Sequence, residues 1–438
     1  MHERAIYSHL ARLRKVVSLS NVPSRFHSFA SVVFTTFAVQ GLSFVSSILI
    51  IRYLSIQGYA LFTIANLMAS LLNALADSGL SSAALAIGGR HHGDTRQLGS
   101  LLASCRAMLW TNGALALAAV APLWLWSSWK HSTSIGQLTT IGVCLVLGFL
   151  TLLGVNIYRS LLLLHHQLHR LQFWDVACIA GRIVLMLTVL RYFPFAEIAV
   201  AIGFLAEIPR LFVLRRLSHT YAAANAPATS VMRTEIKQIL KRTVPTTIYG
   251  ALSTQVQFLL LALFGSTTSV ASAGALSRLH QFFMVVPAYT ATVLSPNVAK
   301  ERCLARVPIV FTKSVILGLS LCAVVAGVII LAPKICLWPL GPKYSGYLWE
   351  ARMIALGSGI YTATGVIAGL LAARGNIVPP TWSIAANISA LAFSISFLPV
   401  DQLTGFLWMQ LLVNLAGFCA TAAFGVVMWR RLPIKTNA

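Results

Sequence analysis

Apolar and polar stretches alternate along this chain at a spacing that a lipid bilayer would set. The first apolar run covers about residues 29–51 and stops at Arg52-Tyr53-Leu54. A short turn from Ser55 to Gly58 leads into a second run, about 59–88, which Asp77-Ser78-Gly79 interrupts. Further runs follow at about 98–126, 135–164, 173–192 and 195–214. Residues 210–242 then break the rhythm. They hold Arg210, Arg215, Arg216, Arg233, Lys237, Lys241 and Arg242, with Glu235 as the main opposing charge. Beyond them six more runs cover about 244–264, 270–297, 307–331, 351–373, 378–399 and 403–429. At about 1.5 Å per residue, helices of these lengths cross a hydrocarbon core about 30 Å thick. The pattern predicts an all-α integral membrane protein with about twelve transmembrane helices in two six-helix lobes. The lobes are residues 29–214 and 243–430, joined by a cytoplasmic linker at 215–242. A basic cytoplasmic leader at 1–28 and a cytoplasmic tail at 431–438 complete the chain.

Charge fixes the orientation of such a bundle. With the N-terminus inside and the runs alternating, inner segments collect about 25 Lys and Arg against 6 for outer segments. The outer six are Arg52, Lys130, Arg191, Lys334, Lys343 and Arg352. Basic residues concentrate on the cytoplasmic side, so both termini are expected there. Trp124, Trp126 and Trp129 close the third run, where indole rings suit the headgroup level. The leader carries Arg4, Arg12, Arg14, Lys15 and Arg25 against Glu3, which suits contact with anionic headgroups.

Composition agrees. Of 438 residues, 57% are hydrophobic and only 10% charged, too few to cover a water-facing surface. The net charge of +23 sits in short loops between apolar runs, with no aromatic-interleaved basic face of the kind nucleic acid requires. The seven cysteines form no CxxC pair, and most fall inside apolar runs, as small buried hydrophobes do. His165, His166 and His169 are spaced to share a helix face. No carboxylate or cysteine nearby completes a metal site, so they are expected to form a basic inner loop. No metal or cofactor is expected.

Two basic residues belong to neither side. Arg182 and Arg278 lie inside the fifth and eighth runs. An arginine at mid-bilayer costs about 2.5–3.5 kcal/mol on insertion scales, so it usually faces protein or a wet cavity. One expectation is an interhelical tether to a carbonyl or to an acid such as Asp77 or Glu207. The other is a cationic lining for an anionic cargo, which the scarcity of acids favours. No GxSxG, HExxH or phosphate-binding lysine loop is present. A transporter is expected rather than an enzyme.

Several segments stand out by their order. They are Gln40 with Ile51-Arg52-Tyr53-Leu54-Ser55, then Gly58-Tyr59-Ala60-Leu61-Phe62 and Asp77-Ser78-Gly79-Leu80. In the second half they are Ala275-Leu276-Ser277-Arg278-Leu279, Pro287, Pro296, Leu337 to Tyr344, and Gly369 to Gly375. In order and spacing, from about residue 29 to 430, these segments resemble the polysaccharide flippases, lipid-linked oligosaccharide exporters (O-antigen flippases among them) of the multidrug/oligosaccharidyl-lipid/polysaccharide superfamily. This likeness implies the cytoplasmic (inner) membrane of a bacterium as the location. It implies a pair of lobes around a central cleft that opens alternately to each side. It also implies a polyprenyl-pyrophosphate-linked oligosaccharide as cargo, moved outward for O-antigen, capsule or exopolysaccharide synthesis. Membrane lipids, the polysaccharide polymerase and chain-length machinery are its implied partners; nucleic acid is not. Arg278 and Arg182 are the expected headgroup ligands, since a guanidinium binds phosphate bidentately and stays charged. Gln40, Gln255, Gln257 and Gln281 are candidates for the sugar hydroxyls, or else tie helices together. Asp77 is a candidate for ion coupling or a structural role. A multidrug or cation antiporter of the same superfamily, which would want acids in the cleft, stays open. So does a membrane polymerase or ligase, which would want a long outer loop.

Overall fold

The computed structural model describes residues 22–431 except 92, 132–133, 166, 224–225, 301–305, 375 and 377. Side chains are described from residue 37, apart from 168–169, 242–248, 250–254, 380 and 429–431. Residues 1–21 of the leader, Cys303 and the tail from 432 lie outside the described residues.

The described residues are helical, and the helices follow the predicted runs one for one. In the N-terminal half they are α1 (Val22–Tyr53), α2 (Ile56–Asp77) with α3 (Leu80–Arg90), α4 (Thr95–Lys130), α5 (Ile135–Leu164), α6 (Leu168–Leu185) continued by a π turn (Met186–Leu190), and α7 (Ala196–Leu205) with α8 (Ile208–Ser218). The C-terminal half has α9 (Ser230–Phe264), an irregular eighth span (Thr267–Lys300) opening with α10 (Thr267–Leu276), then α11 (Val307–Leu331), α12 (Leu348–Ala372), α13 (Pro380–Phe397) and α14 (Leu403–Arg431). Eight of these spans are long and apolar enough on their own to cross a membrane. Shorter apolar stretches lie in α1, α9 and α13, and the sixth span is α7 and α8 end to end.

The interruptions have local causes. Between α2 and α3 the chain turns through Ser78 (φ 40°) and Gly79 (φ 91°), both left-handed, a region glycine enters freely. The Asp77 carboxylate then accepts from the Ser81 backbone N–H and hydroxyl, satisfying an otherwise orphaned donor at the start of α3. The eighth span departs from α geometry where Pro287 follows. Proline offers no N–H to the Phe283 carbonyl and its ring crowds that oxygen. The stretch just before it, Ser277–Met284, is a 3-10 helix, and a π turn follows at Thr290–Leu294.

The region expected to be a linker, 215–242, is helical at both ends. α8 runs on to Ser218, and α9 begins at Ser230, capped by the Thr229 side chain, which accepts from Met232 N–H. The non-helical part packs on the N-terminal half. Ala223 N–H donates to the Thr95 carbonyl at 2.9 Å. A Cβ at Gly99 would stand 2.3 Å from the Ala223 carbonyl, so only glycine fits there.

Within the first lobe α2 packs on α4, α5 and α7, and α1 on α6. In the second, α14 packs on α12 and α13, and α11 on α12. The lobes meet where α2 lies against α9 and α10. A Cβ at Gly274 would fall 2.5 Å from the Thr63 hydroxyl, so this seam closes on small residues. Ile64, Met68, Ala271 and Leu276 are buried along it in one apolar core that continues through both lobes.

Candidate functional site

Each lobe holds a pocket among its second, fourth, fifth and sixth spans, counting the C-terminal lobe from α9, whose own Gln257 joins the lining of the C-terminal pocket.

The N-terminal pocket, about 190 Å³, is lined mainly by apolar and small groups of α2, α5, α6 and α7, among them Phe62, Ala65, Leu145, Gly148 and Val200. Asn66, Arg182 and Glu207 are its polar members. Arg182 Nε donates to Ser46 Oγ of α1 at 2.9 Å, and Ser46, fully buried, in turn faces Met186 Sδ at 3.3 Å. Glu207 accepts from Arg210 at 2.9 Å. Arg210 also pairs with Asp175, and Asp175 with Arg159 at 3.2 Å. A chain of alternating charge thus runs from the pocket toward the end of the lobe that carries α8. Glu207 lies within electrostatic reach of Arg182, so the tether expected from the sequence is present in part. Arg182 is also within reach of a second cation, Arg278 of the opposite lobe.

Arg278 sits on the 3-10 stretch. That helix has about three residues per turn, so side chains three apart eclipse. Ser277 and His280 fall on one stripe, Arg278 and Gln281 on the next, and Leu279 and Phe282 on the third. The first stripe lines a pocket inside the C-terminal lobe. The third reaches the other lobe, where Phe282 meets Phe44 of α1 with ring centroids 5.1 Å apart. The second carries Arg278 and Gln281. Arg278 Nε and Gln281 Oε1 are buried and have no hydrogen-bond partner among the described residues. One unpaired guanidinium therefore stands near another across the lobe boundary.

The C-terminal pocket, about 300 Å³, is of another kind. Its polar lining comes from Gln257 of α9, Ser277 and His280, Tyr361 of α12, Asn387 of α13, and Gln410 and Asn414 of α14. Its lining includes no Asp, Glu, Lys or Arg.

The structure thus brings Arg182, Arg278 and Gln281 near the lobe boundary and places Gln257 in the C-terminal pocket. Gln40 and Gln255 are half-buried and line neither pocket. Asp77 lies at the α2–α3 break, engaged by Ser81. His165 stacks on Tyr221 at 4.2 Å, and no cluster of metal-ligating side chains exists among the described residues. Ser46, His280, Tyr361, Asn387, Gln410 and Asn414 did not stand out in the sequence.

At the end of the bundle assigned outward by charge, the lobes are tied together. Arg52 Nε donates to the Pro339 carbonyl at 2.8 Å and Nη2 to that of Trp338 at 3.2 Å. Lys343 Nζ donates to the Leu54 carbonyl at 2.8 Å. Lys130 Nζ donates to the Leu263 carbonyl at 3.0 Å, and His131 bridges Thr267 Oγ1 at 2.8 Å and the Ala262 carbonyl at 3.1 Å. Three of these acceptors, the Leu54, Ala262 and Leu263 carbonyls, lie at the C-terminal ends of α1 and α9, where helix carbonyls lack partners within their own helix and attract cations. Burial lowers the His131 pKa below its ordinary value, against the pull of the Ala262 carbonyl, and the neighbouring Lys130 lowers it further.

No protein-family model matches the chain. No curated protein matches it by sequence. Solved structures do match. The chain is similar to the lipid II flippase MurJ in its inward closed conformation, at 13% identity over 92% of this chain and 87% of that one, with a TM-score of 0.68. It is similar to an outward-facing multidrug resistance MATE family transporter of the MOP superfamily, at 12% identity over 92% and 96%, TM-score 0.62. It is also similar to the eukaryotic MATE transporter AtDTX14, at 14% identity over 93% and 94%, TM-score 0.59. At these identities the likeness is one of fold. The chain has the helical transporter fold these proteins share, with two six-helix lobes around a central cleft.

Proposed function

We propose that this protein is a flippase of that superfamily. It moves a polyprenyl-pyrophosphate-linked oligosaccharide from the inner to the outer leaflet of a bacterial cytoplasmic membrane, for O-antigen, capsule or exopolysaccharide synthesis. The observation that carries the reading is the pair Arg182 and Arg278, one from each lobe, within electrostatic reach of each other. Two like charges held close in a membrane repel, and Arg278 has no acid of its own among the described residues. A pyrophosphate bridging both would remove the repulsion and supply the missing acceptors, with guanidinium geometry suited to it. The sugars would enter the cleft with the pyrophosphate, while the polyprenyl chain stays in lipid. The fold it shares with a lipid II flippase supports the class of cargo. The polymerase and chain-length proteins of such a pathway would take up the product.

A second reading rests on Glu207, a carboxylate lining the N-terminal pocket beside Arg182. In an exporter of cationic drugs it would be the cargo's counter-charge. Against it, Arg210 already holds that carboxylate.

Proteoliposomes separate the two. A membrane potential is worth about 2.3 kcal/mol per charge per 100 mV, so a headgroup of about two negative charges gains roughly 4–5 kcal/mol moving to the positive side. With an imposed potential and no proton or sodium gradient, a lipid-linked oligosaccharide should flip at a rate that follows the potential. Efflux of a cationic dye with no lipid movement would establish the exporter instead.

A further inference from the structure

The C-terminal pocket remains to be explained. Gln257 is nine-tenths or more buried, 6% exposed, and lines the pocket. Asn387 Oδ1 is buried there and has no hydrogen-bond partner among the described residues. Gly417 leaves Asn387 its room, since a Cβ at 417 would stand 3.0 Å from that oxygen. Asn414 Nδ2 is fixed on the Gly357 carbonyl at 3.0 Å, which leaves its own carbonyl for another donor. The His280 and Tyr361 rings stand edge to face, 5.7 Å apart, and add a flat apolar wall. A buried amide without a partner costs about 1–3 kcal/mol, so such groups are retained where something else satisfies them.

We infer that this pocket is the subsite for one neutral sugar ring of the cargo; the inference rests on the flippase reading above. Its chemistry favours a sugar over a cation. A desolvated cation wants oxygen ligands that include negative charge, and this lining has none. It has amide and imidazole N–H donors among its acceptors, which would repel a cation. A sugar hydroxyl both donates and accepts, as amides do, and a ring's C–H face packs on an aromatic wall. The volume, about 300 Å³, lies at the small end of ligand pockets, room for a ring and not for a chain. The placement also fits. Ser277 and His280 face the pocket on the 3-10 turns that carry Arg278 and Gln281 on the adjacent stripe. A pyrophosphate on Arg278 therefore sits beside the mouth of the pocket, where its first sugar would be.

The test compares two short-chain probes with purified protein: citronellyl diphosphate, and the same diphosphate bearing one N-acetylhexosamine. Wild type should bind the sugar-bearing probe about tenfold more tightly. Gln410→Leu and Asn387→Ala should bring that ratio near one while the bare diphosphate binds as before. Arg278→Ala should weaken both probes alike. Thermal unfolding checks each variant, and Gln410→Asn, a milder change, should lower the ratio part-way where the leucine variant loses its fold. A ratio unchanged in both pocket variants overturns the sugar subsite while leaving the flippase reading intact. Stabilisation by sodium over choline that these variants lose, without sugar preference, makes the pocket a cation site. Failure of wild type to bind either probe removes both readings together.

Discussion

The two lobes hold pockets that share the second, fourth, fifth and sixth spans, yet they are furnished in opposite ways. The N-terminal pocket is apolar with an arginine and a glutamate at its edge, backed by the chain Glu207–Arg210–Asp175–Arg159. The C-terminal pocket has amides, hydroxyls and an imidazole, and no formal charge in its lining. Two lobes that shared one function would share one chemistry. On the flippase reading proposed above the task would be divided, with charge on one side meeting the charged part of an amphiphile and neutral polar groups on the other meeting its hydroxyls.

The sharpest way to break the comparison is to remove the support on the charged side. Arg210→Ala leaves Asp175 with only the half-exposed Arg159, and leaves Glu207 with no cation but the more distant Arg182. Removing one partner of such a partly buried network costs about 3–5 kcal/mol, because the remaining charges stay unpaired. A large fall in the thermal unfolding temperature in detergent is expected. The neutral pocket should answer differently: Gln410→Leu should leave unfolding nearly unmoved. Equal losses would show that both pockets are merely structural.

Next in size is the proposed pyrophosphate bridge between the lobes. Arg278→Ala should slow flipping about 10- to 100-fold in a normally inserted protein, since hydrogen bonds to a charged group are worth about 1.5–3 kcal/mol. Arg278→Lys should recover part of the rate, because a point charge lacks the bidentate fork. Full activity in the alanine variant would take this residue out of the mechanism.

Much of this was legible in the sequence, and what was not has a physical reason. The twelve runs were, because a helix in lipid must stay apolar for its whole length. Arg182 and Arg278 were, because a charge inside such a run stands alone. Asn387, Gln410 and Asn414 were not, since uncharged polar residues are common in membrane helices and only their convergence from two helices marks them. Nor was the 3-10 stretch, whose one sequence sign is Pro287, although it aligns Arg278 with Gln281 and Ser277 with His280. The ties at the outer end were hidden for a further reason: Arg52, Lys130 and Lys343 bind backbone carbonyls, and a carbonyl has no identity in a sequence.

A smaller effect is expected at Asp77, which also lies on the charged side but belongs to neither pocket. Asp77→Asn keeps a side-chain carbonyl to accept from the Ser81 N–H, so the α2–α3 break should survive. The rate of flipping should fall only a few-fold and still follow the membrane potential. A dead variant whose wild type ignores the potential would mean that this carboxylate carries a coupling ion, and the charged lobe would then serve energetics rather than the headgroup.

The smallest effect concerns when the two pockets can be reached from outside. His131 holds the lobes together there through Thr267 and the Ala262 carbonyl. A carbonyl only accepts, so Nε2 carries the proton, and the neutral ring takes the Thr267 hydroxyl at Nδ1. In the tied state burial, then Lys130, lower the pKa of this ring; when the lobes part, it returns toward its ordinary value near 6.5. The parted state then binds the proton more readily. Above the ordinary value both states are neutral and pH has no effect. As pH falls below it, protons are taken up preferentially by the parted state, so the tie weakens until the tied form protonates as well. Lowering pH from about 7.5 to about 5 should thus shift the population a few-fold toward outer opening. Spin labels at Gly136→Cys and Thr268→Cys, one on each lobe's outer turn in a cysteine-free background, read this as a longer distance at low pH. His131→Phe keeps a ring without a titrating nitrogen and should make the distance distribution independent of pH. A pH response that survives in that variant would place the switch elsewhere, and outer access to the two pockets would not be governed by this imidazole.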